Sequence, residues 1–134
     1  MLGDKLGNVT GKVILRRVLP SGSGGARTES TQRGTGTLLG VKYQEMGTYE
    51  AELRPDGTLL GKGQGIYMGK TGEMATWTGQ GVGTFTKTGG VRFRGALYLY
   101  STSAKWQRLN AVAGVFEYEV DAKDNYKATL TEWK

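Results

Sequence analysis

Two short runs in this chain place glycine at every second residue, Gly61-Lys62-Gly63-Gln64-Gly65 and Gly79-Gln80-Gly81-Val82-Gly83. Two is the side-chain period of a β-strand, so each run lines one face of a strand with hydrogen atoms. Glycine weakens strands, and its concentration here points to a specific demand. The demand is either tight barrel curvature or an inner space that side chains would otherwise fill.

At 134 residues the chain is read as one domain, large enough to bury a core. Its 23 glycines come with only 2 prolines and 37% apolar residues, too apolar for disorder and too irregular for collagen. There is no cysteine and no histidine. Disulfides, Cys/His zinc sites and Ser-His-Asp or Cys-His nucleophiles are therefore excluded. No Asp-x-Asp-x-Asp-Gly calcium pattern occurs, so neither a metal nor another cofactor is expected. Residues 1–13 hold no apolar stretch long enough for a signal peptide, and no later run is long enough to span a membrane. A soluble cytoplasmic protein without a membrane partner is the expectation. The net charge of +6 is spread along the chain, with Arg16-Arg17 and Arg92/Arg94 the only local pairs. Nucleic-acid binders cluster their charge and interleave exposed aromatics, so no nucleic-acid partner is expected.

Helical periodicity is nearly absent. Eight β segments fall at about 12–19, 27–39, 41–53, 58–68, 73–86, 91–102, 112–121 and 126–133. Turn chemistry separates them at Ser21-Gly22-Ser23-Gly24-Gly25, Pro55-Asp56-Gly57, Thr71-Gly72-Glu73, Thr88-Gly89-Gly90 and Ala122-Lys123-Asp124-Asn125. Near Gly40 two strands run together without an obvious turn, and 103–110 has room for one helical turn. Short strands with hairpin loops predict an all-β fold, a closed or nearly closed antiparallel barrel of about eight strands.

Loop geometry sets the register. With Pro55-Asp56-Gly57 as a three-residue loop, Glu45 falls opposite Tyr67 and Tyr49 opposite Gly63. With Thr71-Gly72-Glu73 treated likewise, Tyr67 meets Trp77, Gly65 meets Gly79, Gly63 meets Gly81 and Gly61 meets Gly83. The glycine runs become one ladder. Its face also carries Tyr43, Tyr49, Leu53, Leu59, Tyr67, Trp77, Phe85, Phe93, Leu97 and Leu99, whereas the other face carries Lys42, Gln44, Glu50, Glu52, Lys62, Gln64, Arg92 and Arg94. The ladder therefore points inward, together with Phe116, Tyr118 and Val120. Eight strands close around a packed interior or one small ligand. Six interior glycines favour a cavity, unless neighbouring rings fold over them.

The segments TGQGVGTFTKTGGVRFRGALYLYSTS (78–103) and NAVAGVFEYEVD (110–121) resemble the allene oxide cyclase and dirigent barrels. They share a Gly-rich strand, a hairpin, a strand with an inner glycine and an apolar strand with an acidic outer face. The match covers the C-terminal half, and the chain resembles small bacterial members without an assigned function. It implies an eight-stranded barrel with an apolar lumen, often trimeric, and in characterised relatives cyclisation or coupling of hydrophobic intermediates. None of their functional residues matches a position here. Lipocalin-like barrels share the architecture and imply ligand carriage.

Phosphate-loop chemistry fails. Gly69-Lys70-Thr71 lacks the upstream glycine, since position 64 is Gln64, and no helix follows. Glu45 is the candidate acid or base, an inward carboxyl beside Tyr67, unless a bulge near Gly47 or a turn near Gly40 flips its face. Tyr43, Tyr49, Tyr67, Trp77, Phe93, Leu97, Phe116 and Tyr118 are candidate ligand-lining residues, or simply core. Tyr98 and Tyr100 lie beside Ala96 on the outer face and suggest a subunit interface of a dimer or trimer. Met46, Met68 and Met74 are read as gap fillers. Three functions remain: binding of a small hydrophobic molecule, a cyclase or isomerase using Glu45 and Tyr67, and a structural module with a filled interior.

Overall fold

The computed structural model describes residues 1–21 and 24–134, so part of the turn read at 21–25 lies outside the described residues. Eight strands follow in chain order: β1 (Leu2–Leu19), β2 (Arg27–Leu38), β3 (Val41–Leu53), β4 (Leu59–Gly69), β5 (Met74–Phe85), β6 (Val91–Tyr100), β7 (Ala113–Val120) and β8 (Asn125–Trp133). Each pairs antiparallel with its chain neighbours, and β1 pairs with β8 to close the barrel. A 3₁₀ helix, Ala104–Ala111, joins β6 to β7.

Four of the hairpin loops share one design. Three residues separate the last bonded pair, and the third adopts a positive φ: Gly57 (88°), Gly72 (97°), Gly89 (90°) and Asp124 (66°). This recurrence corrects one register. The β4–β5 loop is Lys70-Thr71-Gly72, because the left-handed residue belongs at its third position. Pairing therefore moves by two residues, to Gly65–Trp77, Gly63–Gly79 and Gly61–Gly81, with Tyr67 opposite Ala75 rather than Trp77. An even shift preserves the face, so the glycines still point inward. The β2–β3 turn is a two-residue one in which Leu39 (47°) and Gly40 (78°) both take positive φ; leucine there hid the turn from a composition reading.

Strand β1 begins ten residues earlier than expected, at Leu2. Leu6, Val9 and Val13 are all buried although their spacing is not even. The β1–β8 pairing shifts between Leu2 and Gly7, and on the β2 side Ile14 is an extra residue between Val13 and Leu15. Such irregularities break the period-two pattern that marks a strand. The bulge leaves Ile14 and Leu15 exposed.

One end of the barrel is plugged by the 3₁₀ helix. Trp106 and Leu109 are 0% exposed, and the Trp106 indole N–H donates to the Leu38 carbonyl at 3.1 Å. Asn110 anchors the helix by exchanging two hydrogen bonds with the Ser101 backbone, at 2.7 and 2.8 Å. The outer wall carries cross-strand ion pairs, Arg27–Glu50 (2.8 Å), Arg92–Glu119 (3.1 Å) and Arg94–Glu117 (3.3 Å). Tyr98 and Tyr100 are exposed there. Three assignments change. Phe85 is 59% exposed, because its strand runs out at the barrel rim, and Met46 and Met74 are exposed on the outer wall rather than filling gaps.

Candidate functional site

The glycine ladder is where the rings lie. A Cβ built on Gly47 would meet Trp77 Cζ2 at 2.8 Å, and one on Gly65 would strike the same indole at Nε1. Gly61 and Gly83 underlie Phe93 at 2.9 and 2.7 Å, and Gly81 underlies Phe116 at 3.0 Å. Large rings thus rest flush on the inner wall, which needs glycine beneath them. The rings do not fill the barrel. A cavity of about 90 Å³, taken as the space open to the centre of a water-sized sphere, remains along the axis. A single water needs roughly 10–15 Å³ by that measure, so the space exceeds a structural water site.

All nine residues singled out from the sequence line this cavity: Tyr43, Glu45, Tyr49, Tyr67, Trp77, Phe93, Leu97, Phe116 and Tyr118. Phe116 and Tyr49 are half-buried and the rest are buried. The rings form two groups. Tyr43 contacts Tyr67 (centroids 4.6 Å apart) and Trp106 (6.3 Å) at the plugged end. Tyr49, Phe93 and Tyr118 pack mutually at 5.6–6.2 Å further along, and Tyr118 stacks on Tyr126 at 5.4 Å. The Tyr118 hydroxyl donates to the Tyr49 hydroxyl across the barrel at 3.3 Å.

Among the described residues Glu45 is the one carboxyl group on the cavity wall, at 4% exposure. No bulge interrupts β3, so the inward face predicted for it holds, opposite Gly34 on one side and Tyr67 on the other. Its Oε2 accepts from the Tyr126 hydroxyl at 2.7 Å and from Gln32 Nε2 at 3.1 Å. Gly34 permits the first of these bonds, because a Cβ there would strike the Tyr126 hydroxyl. Burial pushes the Glu45 carboxyl above the ordinary carboxylate range, and the Tyr126, Gln32 and nearby Trp77 donors only partly oppose it. Trp77 Nε1 is near enough to favour the charge but forms no bond of good geometry; it and Gln32 Oε1 are buried without a partner. Burial likewise raises Tyr43, Tyr67, Tyr118 and Tyr126, with the Glu45 charge adding to each, so these phenols stay protonated at neutral pH.

A raised carboxyl is proton-linked to stability. The native state holds the Glu45 proton to higher pH than the unfolded chain does, so stability from this group is present at low pH and lost as pH rises through the raised value. Glu45→Gln mimics the protonated form. Its melting temperature relative to wild type should rise between pH 4 and pH 8, as read by calorimetry; a difference that shrinks with pH would contradict the burial argument.

Sequence reasoning missed Gln32 and Tyr126. Gln32 lies on the inner face of β2, whose other inner residues include Ser30, Gly34 and Gly36, and no apolar alternation marks that face. Tyr126 was legible, since Tyr126, Ala128 and Leu130 alternate inward on β8, but its reach to Glu45 depends on the closing β1–β8 pairing.

Neither a family model nor a curated protein matches this sequence. Solved structures do match. A conserved protein of unknown function from Rhodopseudomonas palustris superposes with TM-score 0.84 at 14% identity, covering 98% of this chain and 97% of that one. A protein of unknown function from Clostridium acetobutylicum gives 0.84 at 13% identity, with 98% of each chain covered. A β-barrel-like protein from Acinetobacter baumannii gives 0.83 at 14%, covering 99% of this chain and 96% of its own. At such identities the likeness is one of fold, and it extends over the whole closed barrel.

Proposed function

We propose that this barrel binds a small, mainly apolar molecule in its axial cavity. The observation that carries the reading is the unfilled space beside Trp77, walled by aromatic rings and provided with a polar pole at Glu45 and Gln32. Ligand pockets combine these features, an apolar wall and a few placed polar groups. Trp77 reports its own occupancy. Saturable tryptophan quenching by at least one member of a panel of apolar compounds should occur in wild type and disappear in Trp77→Phe, leaving the signals of Trp106 and Trp133. Quenching by no member, or quenching unchanged by the substitution, would defeat the proposal.

A second reading is favoured by the Glu45 carboxyl itself. Raised by burial and set on the cavity wall opposite Tyr67, it is suited to give or take a proton from an apolar substrate. The resemblance to allene oxide cyclase and dirigent barrels supports cyclisation or isomerisation of that kind. Tyr67 then donates a hydrogen bond rather than acting as a base, because burial holds its proton. Loss of turnover in Glu45→Gln, with binding kept within about tenfold (about 1.4 kcal/mol), is the expected signature. Turnover at the wild-type rate would reject it. The exposed Tyr98 and Tyr100 support assembly as a dimer or trimer, and a monomer by native mass spectrometry would exclude that.

A further inference from the structure

Among the described residues Glu45 makes no ion pair. The ion pairs lie elsewhere, most on the outer wall and others at loops and strand ends. The inner-face positions around it hold Gly11 of β1, Gln32 and Gly34 of β2, Tyr43 of β3, Tyr67 of β4, Trp77 of β5 and Tyr126 of β8. No Asp, Lys or Arg stands among them, and their only titratable groups are phenols. An interior carboxylate is costly unless something pairs with it.

The free atoms define what that partner must be. One N–H of Gln32 and the Tyr126 hydroxyl both donate to Oε2. Among the described residues no group bonds Oε1, and Gln32 Oε1 is a second acceptor without a partner on a residue 5% exposed. Two acceptors, one of them a carboxyl oxygen, thus adjoin a cavity walled by Tyr43, Tyr67 and Trp77, whose Nε1 is a donor without a partner. Aromatic walls attract cations through the ring quadrupole. We infer that the polar pole of the cavity takes the ammonium group of a small apolar amine, its N–H groups donating to Glu45 Oε1 and Gln32 Oε1. The inference rests on the cavity-binding reading and narrows it to a ligand class. No covalent bond changes. The amine enters as an ammonium, and where Glu45 is protonated in the empty barrel its proton passes to solvent.

Matched probes separate this inference from the reading beneath it. Benzylamine and benzyl alcohol share shape and apolar surface and differ in charge. Titration calorimetry at pH 8 should give benzylamine at least about tenfold tighter binding than benzyl alcohol, a difference of about 1.4 kcal/mol. Glu45→Gln should abolish the preference for the amine. In wild type, lowering the pH should weaken the amine by up to about tenfold per unit below the Glu45 value while the alcohol stays level, which decides the matter even if the variant fails to fold. Equal affinities in wild type with the alcohol bound, a preference surviving in Glu45→Gln, or a ratio flat with pH would overturn the amine inference and leave cavity binding standing. Binding of neither probe overturns it too, and a silent ligand panel as well would remove the cavity reading.

Discussion

Trp106→Ala should lower the unfolding free energy by about 3–5 kcal/mol, the usual cost of truncating a fully buried aromatic. Trp106 is 0% exposed, closes one end of the barrel, meets the Tyr43 ring edge-on at 6.3 Å and donates its indole N–H to the Leu38 carbonyl. Truncation leaves a void at the barrel end and strips a buried carbonyl of its donor, and the two losses add. A protein of this length should melt on the order of 10 °C lower. Trp106→Phe keeps most of the packing and loses the hydrogen bond, so it should cost about 1–3 kcal/mol. Urea denaturation of the three proteins measures both. A loss under about 1 kcal/mol in the alanine variant would mean that the helix does not plug the barrel.

Gly95→Ala should cost about 3 kcal/mol, more than Gly72→Ala at about 1 kcal/mol, although only Gly72 has a positive φ. The Gly72 Cβ would project into open space, so strain of the left-handed backbone is its whole penalty. At Gly95 a Cβ would strike the Gln80 carbonyl oxygen and stand 2.5 Å from Gly81 Cα. Backbone obstructs it there, and backbone in a closed sheet does not yield as a side chain does. Urea midpoints of both variants test the ranking; equal costs would show that β5 and β6 approach less closely than described.

The inner and outer faces of β3 through β7 were readable because alternation is strict there and the hairpin loops fix parity. Glu45 was placed correctly for that reason, since an even error of register leaves every face unchanged. The error itself arose at Gly72, a glycine assigned to the middle of a loop whose third position carries the positive φ. Strand β1 was half legible. Its bulges put Leu6 and Val9 on the same wall at odd spacing, and no period-two template matches that. The meaning of the glycine runs also changed. They read as an emptied wall, whereas most of that space belongs to Trp77, Phe93 and Phe116 lying against it. Where a ring will lie depends on rotamers across several strands, which one strand's pattern does not specify. The polar partners of Glu45 come from β2, its hairpin neighbour, where no apolar alternation marks Gln32 as inward, and from β8, which only barrel closure brings to it.

Gly79 offers the most direct test of whether the remaining cavity is a binding site. It lines the cavity, and among the glycines of the two runs it has the most room: a Cβ there meets nothing closer than the Ala96 carbonyl oxygen at 3.1 Å. Gly79→Val should therefore still fold, at a cost of about 1–3 kcal/mol, while projecting two methyl groups into the space a ligand needs. The measurement is calorimetric titration of both proteins with the best-quenching apolar compound. Binding by wild type and at least about tenfold weaker binding by Gly79→Val, with the variant still melting cooperatively above the titration temperature, is the result predicted here. Equal affinities in the two proteins would place the ligand outside the barrel and contradict the account.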